Sequence, residues 1–219
     1  MDTHSSSQIH TSWSGSKQTA DIILASQSPR RVELLSYLGL TFETIPSHID
    51  ESTELTDPGE VVVTLAEAKA RAVGETIKQR SDFGAKRTLV LGADTIVVIG
   101  QDILGKPTSR EDAYQMLMRM SGRPHRVFTG VALLDLQSGE TWKNHEISTV
   151  YFRYLDSAEV RCYVKTSEPM DKAGSYALQG IASAFVQRVD GCYTNIIGLP
   201  VPLTLKMFRD AGLSVLGMP

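Results

Sequence analysis

Four short segments of this 219-residue chain gather side chains suited to phosphate chemistry. The first, Ser26-Gln27-Ser28-Pro29-Arg30-Arg31, follows the apolar run Ile22-Ile23-Leu24-Ala25 and precedes Leu34, Leu35 and Leu38 at helical spacing. That order predicts a strand running into a helix, with Ser28 as N-cap, Pro29 at the first helical position and Gly39 as the stop. Free N–H groups and the positive end of the helix dipole make such a junction an anion site, and the arginine fork suits phosphate oxygens. A capped helix with two solvated arginines satisfies the same residues.

The second segment is Gly92-Ala93-Asp94-Thr95, which sits between the apolar runs LVL and IVVI. A carboxylate there is costly to bury unless it is paired or bound to metal. The pattern predicts two strands broken at Gly92 to Thr95, with Asp94 at a strand end. At that position it would hold Mg²⁺, orient a water as general base, or simply close a tight turn. The third is Gly105-Lys106-Pro107, ahead of a helix starting near Ser109, where the ammonium could meet a phosphate; it is not a P-loop. The fourth runs from Asp171 through Lys172, Gly174 and Gln179 to Gly180. Its glycines permit close backbone approach, and a glutamine amide reads both donors and acceptors.

Asp50 and Glu51 lie in an acidic, turn-rich loop that composition alone assigns to solvated surface. His125 enters a strand and reads more readily as structural than as a ligand, and the other histidines share no metal-ligand spacing. Serine-hydrolase and zincin signatures are absent.

Positioning these residues requires an alternation of elements. The strand at Ile22 and helix at Pro29 are followed by a strand over 41–46 and a helix over 61–78. A helix over 109–122, strands over 126–136 and 146–154, a short helix over 157–165, a strand over 181–191 and a helix over 202–212 complete the pattern. The mixture predicts an α/β fold around a twisted mixed β-sheet with flanking helices.

A net charge of −3 and a pI near 6.0 argue against broad binding to nucleic acid or to anionic membrane. Cys162 and Cys192 lack CxxC spacing, which fits a reducing compartment and a cytoplasmic protein. No apolar run approaches the ~20 residues of a membrane span. Residues 1–20 are polar and rich in Ser and Thr without an apolar signal core, and predict a disordered tail; order is expected from Asp21, in one domain over 21–219.

Taken in order, ILASQSPRRVELL, LVLGADTIVV, LGKP, MLMRMSGRPHRVFTGV, EPMDKAGSYALQG and YTNIIGLP resemble the Maf family of nucleotide pyrophosphatases. The resemblance spans nearly everything from Ile22 to about Phe208. It implies a two-lobed fold related to the inosine triphosphate pyrophosphatases, with the nucleotide between the lobes. It also implies hydrolysis of a nucleoside triphosphate to monophosphate and pyrophosphate with a divalent cation, Mg²⁺ or Mn²⁺.

By motif, Ser26, Arg30 and Arg31 match the phosphate-binding junction, and Glu51, Lys69, Asp94 and Lys106 match polar cleft positions. Asp94 matches the proton acceptor, Glu51 and Asp94 are the implied metal ligands, and Lys172 joins the charge-neutralising cations. Arg30, Thr95 and Gln179 match positions tied to substrate choice. GADT together with DKAGxYxxQG resembles the branch acting on dTTP and UTP, with modified pyrimidines within reach of the same pocket. Alternatives are the same reaction on 7-methyl-GTP or another modified nucleotide, and a nucleotide-binding regulator of cell division. The resemblance leaves a homodimer open.

Overall fold

The computed structural model describes residues 19–215. The disordered tail expected over 1–20 lies outside the described residues up to residue 18. At its end the expectation is corrected: Ala20 is buried and already belongs to the first strand, opposite Arg87.

One mixed sheet runs through the structure. β1 (Ala20–Leu24) lies parallel to β2 (Phe42–Thr44) on one side and to β3 (Arg87–Ile99) on the other. β3 is antiparallel to β5 (Pro124–Asp135), β5 to β6 (Thr141–Phe152), and β6 to β7 (Val186–Asp190), giving the order β2-β1-β3-β5-β6-β7. The short β4 (Asp102–Leu104) folds back on β3 at Val97 to Ile99. β1 and β4 therefore share one edge of β3, β1 reaching Leu91 and β4 beginning at Val97. Between them, Gly92 to Ile96 have a strand partner only on the β5 side.

Side chains alternate across β3 and sort the core. Val90, Ile96 and Val98 face α2 (Pro58–Lys78), packing on Ile77, Val73 and Ala70 at one end and on Leu65, Val62 and Val61 at the other. On the opposite face, Leu89, Leu91 and Ala93 meet α1 (Pro29–Ser36) and α6 (Val201–Asp210) through Leu34, Leu35 and Phe208. Val97 and Ile99 meet α3 (Arg110–Met120) and α4 (Ser157–Tyr163) through Leu117, Met120 and Tyr163. These last two clusters are the two lobes of the expected α/β fold, separated along β3 at Thr95. Among the described residues, no helix is long and apolar enough to cross a membrane.

Several expectations are corrected. β3 is one continuous strand of 13 residues, so Asp94 lies mid-strand, opposite Gly130, rather than at a strand end or in a turn. The physical reason is the seating of α2. A Cβ built on Gly92 would stand 2.1 Å from the Ala66 carbonyl oxygen, and one on Gly130 would stand 2.2 Å from that of Val62. The small residues make room for a helix backbone lying directly on the sheet; they do not break the strand. The strand expected over 181–191 is a 3₁₀ turn, Ile181–Phe185, followed by β7. β4 and the five-residue α5 (Tyr193–Ile197) are too short to show a period in sequence. α2 starts earlier than expected because the Asp57 side chain caps it, accepting the Glu60 N–H at 2.9 Å.

Gly92→Ala and Gly130→Ala should each lower stability by about 1–3 kcal/mol or more, because the added methyl would have to displace helix backbone. Gly105→Ala, whose methyl would meet nothing within 4 Å, should stay within about 0.5 kcal/mol. Urea denaturation midpoints of the three variants test the contrast.

Candidate active site

The unpartnered stretch of β3 opens onto a cleft of about 860 Å³. Ser26, Arg30, Arg31, Glu51, Lys69, Asp94, Thr95, Lys106 and Lys172 all line it. The gap brings them together: β1 ends beside it and delivers the N-terminus of α1, while the turn after β4 delivers Lys106. Such crevices beyond the carboxyl ends of parallel strands are where open α/β sheets bind ligands.

At the floor, Lys69 sits on α2 three residues beyond Ala66, the point where the helix touches Gly92. Gly92 and Asp94 share a face of β3, so this contact aims Lys69 at Asp94. The Lys69 ammonium donates to Asp94 Oδ1 at 2.6 Å and pairs with Glu51 Oε1 at 2.7 Å. Lys69 and Asp94 are both 6% exposed, whereas Glu51 reaches in from the acidic loop. Partial burial pushes the Glu51 carboxyl up, but the Lys69 hydrogen bond and the charges of Lys69, Lys106 and Arg31 outweigh it and hold the group below the usual range. Lys69, expected among the substrate contacts, lines the cleft with its ammonium shared between two carboxylates. Among the described residues, Asp94 Oδ2 and Glu51 Oε2 accept no hydrogen bond.

The walls are cationic. Among the described residues Arg30 and Lys106 make no hydrogen bond or ion pair, which leaves both cations available to an anion in the cleft. Arg31 is held from three sides: Nε donates to the Gly198 carbonyl at 2.8 Å, one terminal nitrogen to Thr95 Oγ1 at 3.1 Å, and the other more weakly to Ser26 Oγ. Desolvation lowers its pKa, opposed by Asp94, seconded by neighbouring Arg30, and opposed again by Glu51. Ser28 occupies the N-cap position, but its side chain does not cap; its N–H donates to Ser26 Oγ at 3.1 Å. Lys172 is bound to its own loop, through the Glu168 carbonyl at 2.8 Å and Asp171. Gln179 is exposed and stands outside the main cleft, in two smaller depressions that also touch Arg30 and Lys172.

Thr95 points to the face opposite Asp94 and belongs to a hydroxyl chain. Thr129 Oγ1 donates its proton to the Asn195 carbonyl at 2.9 Å, so in the 3.0 Å contact between the two threonines Thr95 is the donor. With Arg31 occupying one lone pair, Thr95 can only accept from a ligand. Asn195 is itself held by Val127 and Ser148. Thr129 and Asn195, both fully buried, escaped the sequence reading. Thr129 becomes visible only through the β3–β5 register that sets it opposite Thr95.

His125 is structural, as the sequence suggested. Its Nε2 lies 2.9 Å from the Tyr176 hydroxyl, edge-on to Phe152 and Tyr176, and burial pushes its pKa down to about 4. Cys162 and Cys192 are both free thiols. Among the described residues, no three His, Cys, Asp or Glu side chains are grouped to hold a metal ion unaided.

A family model described as Maf-like protein matches residues 21–211. A protein from Desulforamulus reducens named dTTP/UTP pyrophosphatase is 46% identical over 89% of this chain and 98% of that protein. One of the same name from Pelotomaculum thermopropionicum is 46% identical over 90% of this chain and 99% of its own length. A third, from Syntrophomonas wolfei, is 41% identical over 88% and 98%. Among solved structures, a nucleoside-triphosphatase, dITP/XTP pyrophosphatase, from Mycobacterium abscessus is similar at a TM-score of 0.38 and 12% identity, over 62% of this chain and 75% of that one.

Replacing Lys69 by Met leaves Asp94 buried without a counter-charge and should cost about 3–5 kcal/mol, part of it regained in the Lys69→Met/Asp94→Asn double variant; denaturation of the three proteins measures both. For His125 the folded pKa lies below the unfolded one. Its contribution is therefore complete above about pH 6.5 and is lost as pH falls towards 4, by up to about 3 kcal/mol. A His125→Leu variant should lack that part of the acid slope of unfolding free energy.

Proposed function

Since this chain belongs to the Maf-like protein family, we propose that it is a nucleoside triphosphate pyrophosphatase acting on dTTP and UTP. Water attacks at the linkage between the α and β phosphates, and the products are the monophosphate and pyrophosphate. The observation that carries this reading is the division of the cleft: two carboxylates on a shared buried ammonium at the floor, and the unpaired cations Arg30 and Lys106 on the walls. The acceptors suit activation of water, and the donors suit a polyanion with a polyanionic leaving group. A module that merely bound nucleotides would need the cations, but it offers no reason to bury Asp94 in the same cleft.

Asp94 Oδ2 and Glu51 Oε2 are the acceptors left to orient the attacking water or to hold a divalent cation. Two carboxylates fit Mg²⁺ or Mn²⁺ when triphosphate oxygens complete the coordination, since Mg²⁺ commonly takes one or two carboxylates together with phosphates. Once bound, the cation would supply Lewis-acid neutralisation of the phosphates and a lowered pKa for water. Lys69 fixes both carboxylates in direction. Arg30, Arg31, Lys106 and Lys172 face the negative charge that grows on pyrophosphate.

Thr95 serves the other end of the substrate. Ionised phosphate oxygens have no proton to give an acceptor-only hydroxyl, so Thr95 faces the base or sugar, in keeping with a role in substrate choice shared with Arg30 and Gln179. We place the reaction in the cytoplasm, on free nucleotides, including pyrimidines modified at C5, by a monomer or a homodimer.

With Mg²⁺ or Mn²⁺, UTP and dTTP should release pyrophosphate faster than 7-methyl-GTP or ITP; orthophosphate alone as product, or a preference for the purines, sinks the assignment. Asp94→Asn should lose roughly 10²–10³-fold or more in kcat, with a circular dichroism spectrum unchanged from wild type. Near-normal turnover in that variant removes Asp94 from the chemistry.

A further inference from the structure

The loop between Glu168 and Ala182 carries Lys172 and Gln179 past Arg30, yet no α-helix or strand holds it. Two short 3₁₀ turns, Glu168–Asp171 and Ala173–Ser175, give only local support. Its middle is fastened by main chain: the Gly174 N–H donates to the Gly105 carbonyl at 3.0 Å, tying the Lys172 loop to the Lys106 loop. The half that presents Gln179 is fastened differently, by one carboxylate.

Glu168 Oε2 accepts the Ile181 N–H at 2.8 Å, and Oε1 accepts the Ala182 N–H at 3.2 Å and the Tyr163 hydroxyl at 3.0 Å. The Ala177 N–H also faces the Tyr163 oxygen. Backbone groups on both sides of Gln179 thus converge on the Glu168–Tyr163 pair. The Glu168 main chain adds a further tie, its carbonyl receiving the Lys172 ammonium at 2.8 Å.

Gly180 supports the same reading from the sequence side. Its φ is negative, so no left-handed turn demands glycine there. A Cβ at that position would stand 2.3 Å from Glu168 Oε2. The glycine after Gln179 is there to admit the carboxylate. Glu168 is partly buried, and its oxygens are occupied by the loop rather than turned to the cleft. Tyr163, held above the usual phenol range first by burial and then by the neighbouring carboxylate, remains a proton donor throughout the working pH range.

We infer that Glu168, clasped to the Tyr163 hydroxyl, is a positioning residue that holds Gln179 in the nucleotide-binding arrangement. The inference rests on the pyrophosphatase reading and adds to it a residue that acts through the loop, without touching substrate. Its signature is a loss of binding with the chemical step retained, because Asp94, Glu51 and Lys69 stand on other elements.

The test uses Glu168→Gln, Gly180→Ala and the milder Tyr163→Phe in the full chain, with Mg²⁺ and UTP. An amide nitrogen in place of either carboxylate oxygen cannot accept, so Ile181 or else Ala182 loses its acceptor, and the Gly180 methyl displaces the carboxylate from the other side. KM for UTP should rise about ten-fold in Glu168→Gln and Gly180→Ala and a few-fold in Tyr163→Phe, with kcat at saturation within about three-fold of wild type. Amide hydrogen exchange should accelerate at residues 177–182 in each variant. Unchanged KM in all three, or a fall in kcat at constant KM, overturns the inference. If the wild-type protein releases no pyrophosphate from UTP, the pyrophosphatase reading fails instead, and the exchange measurement still tests the clasp. Should Glu168→Gln not fold, Tyr163→Phe decides, since it removes a single hydroxyl from an otherwise unchanged ring.

Discussion

The contact between the α2 backbone and two glycines of the sheet is the constraint from which the site follows. With the Ala66 and Val62 carbonyls resting where Cβ atoms of Gly92 and Gly130 would be, the helix lies closer to β3 and β5 than any side chain would allow. Lys69, one turn further along, is thereby brought over Asp94 at hydrogen-bonding distance. The same proximity shields the pair from water. Isolated burial of either charge would be costly, and a buried ion pair is weak evidence of stabilisation compared with apolar packing. Its presence at the floor of a cleft makes better sense as chemistry. It fixes a carboxylate in direction and leaves one of its oxygens without a hydrogen bond.

A second constraint is the gap on the edge of β3. Because β1 ends at Leu91 and β4 begins at Val97, main-chain pairing is missing on one side where Asp94 and Thr95 lie. Strand alternation then sends these adjacent residues to opposite faces. Asp94 joins Lys69 and Glu51, while Thr95 joins Arg31, Thr129 and Asn195. The carboxylate cluster and the hydroxyl chain are thus separated by a single peptide unit. The fixed direction of the hydroxyl chain makes Thr95 unsuited to phosphate, and the unpaired Arg30 and Lys106 are well suited to it. Electrostatics and hydrogen-bond polarity therefore favour the same orientation for the nucleotide of the proposed reaction.

Much of the fold was legible because its long elements carry strong periods. The strand at Ile22, the helix after Pro29, the helix rich in AEAKARA and the helix capped by Ser109 are all present, although the AEAKARA helix begins three residues early and Ser28 does not cap the first helix. What failed did so for identifiable reasons. Gly92 looked like a strand break because glycine weakens strands and a helix backbone pressed against it leaves no local trace. Residues 181–185 looked like strand because their apolar content serves a 3₁₀ turn packed on Phe152 and Tyr163. β4 and α5 were missed because three and five residues are too few to display a period.

By itself the sequence determined which chemical groups were present: the serines and arginines at a strand-to-helix junction, the lone aspartate in an apolar run, the lysine between glycine and proline, and the ordered motifs that mark the family. These depend on residue type and local order, which a linear chain states outright. Tertiary structure decided how the groups were coupled. Lys69 became the partner of two carboxylates, Thr129 and Asn195 set the direction of Thr95, and Gln179 moved out of the main cleft to a loop gathered by Glu168 and Tyr163. Each of these depends on strand register or helix seating between residues far apart in the chain, distances along which side-chain type carries no information about contact.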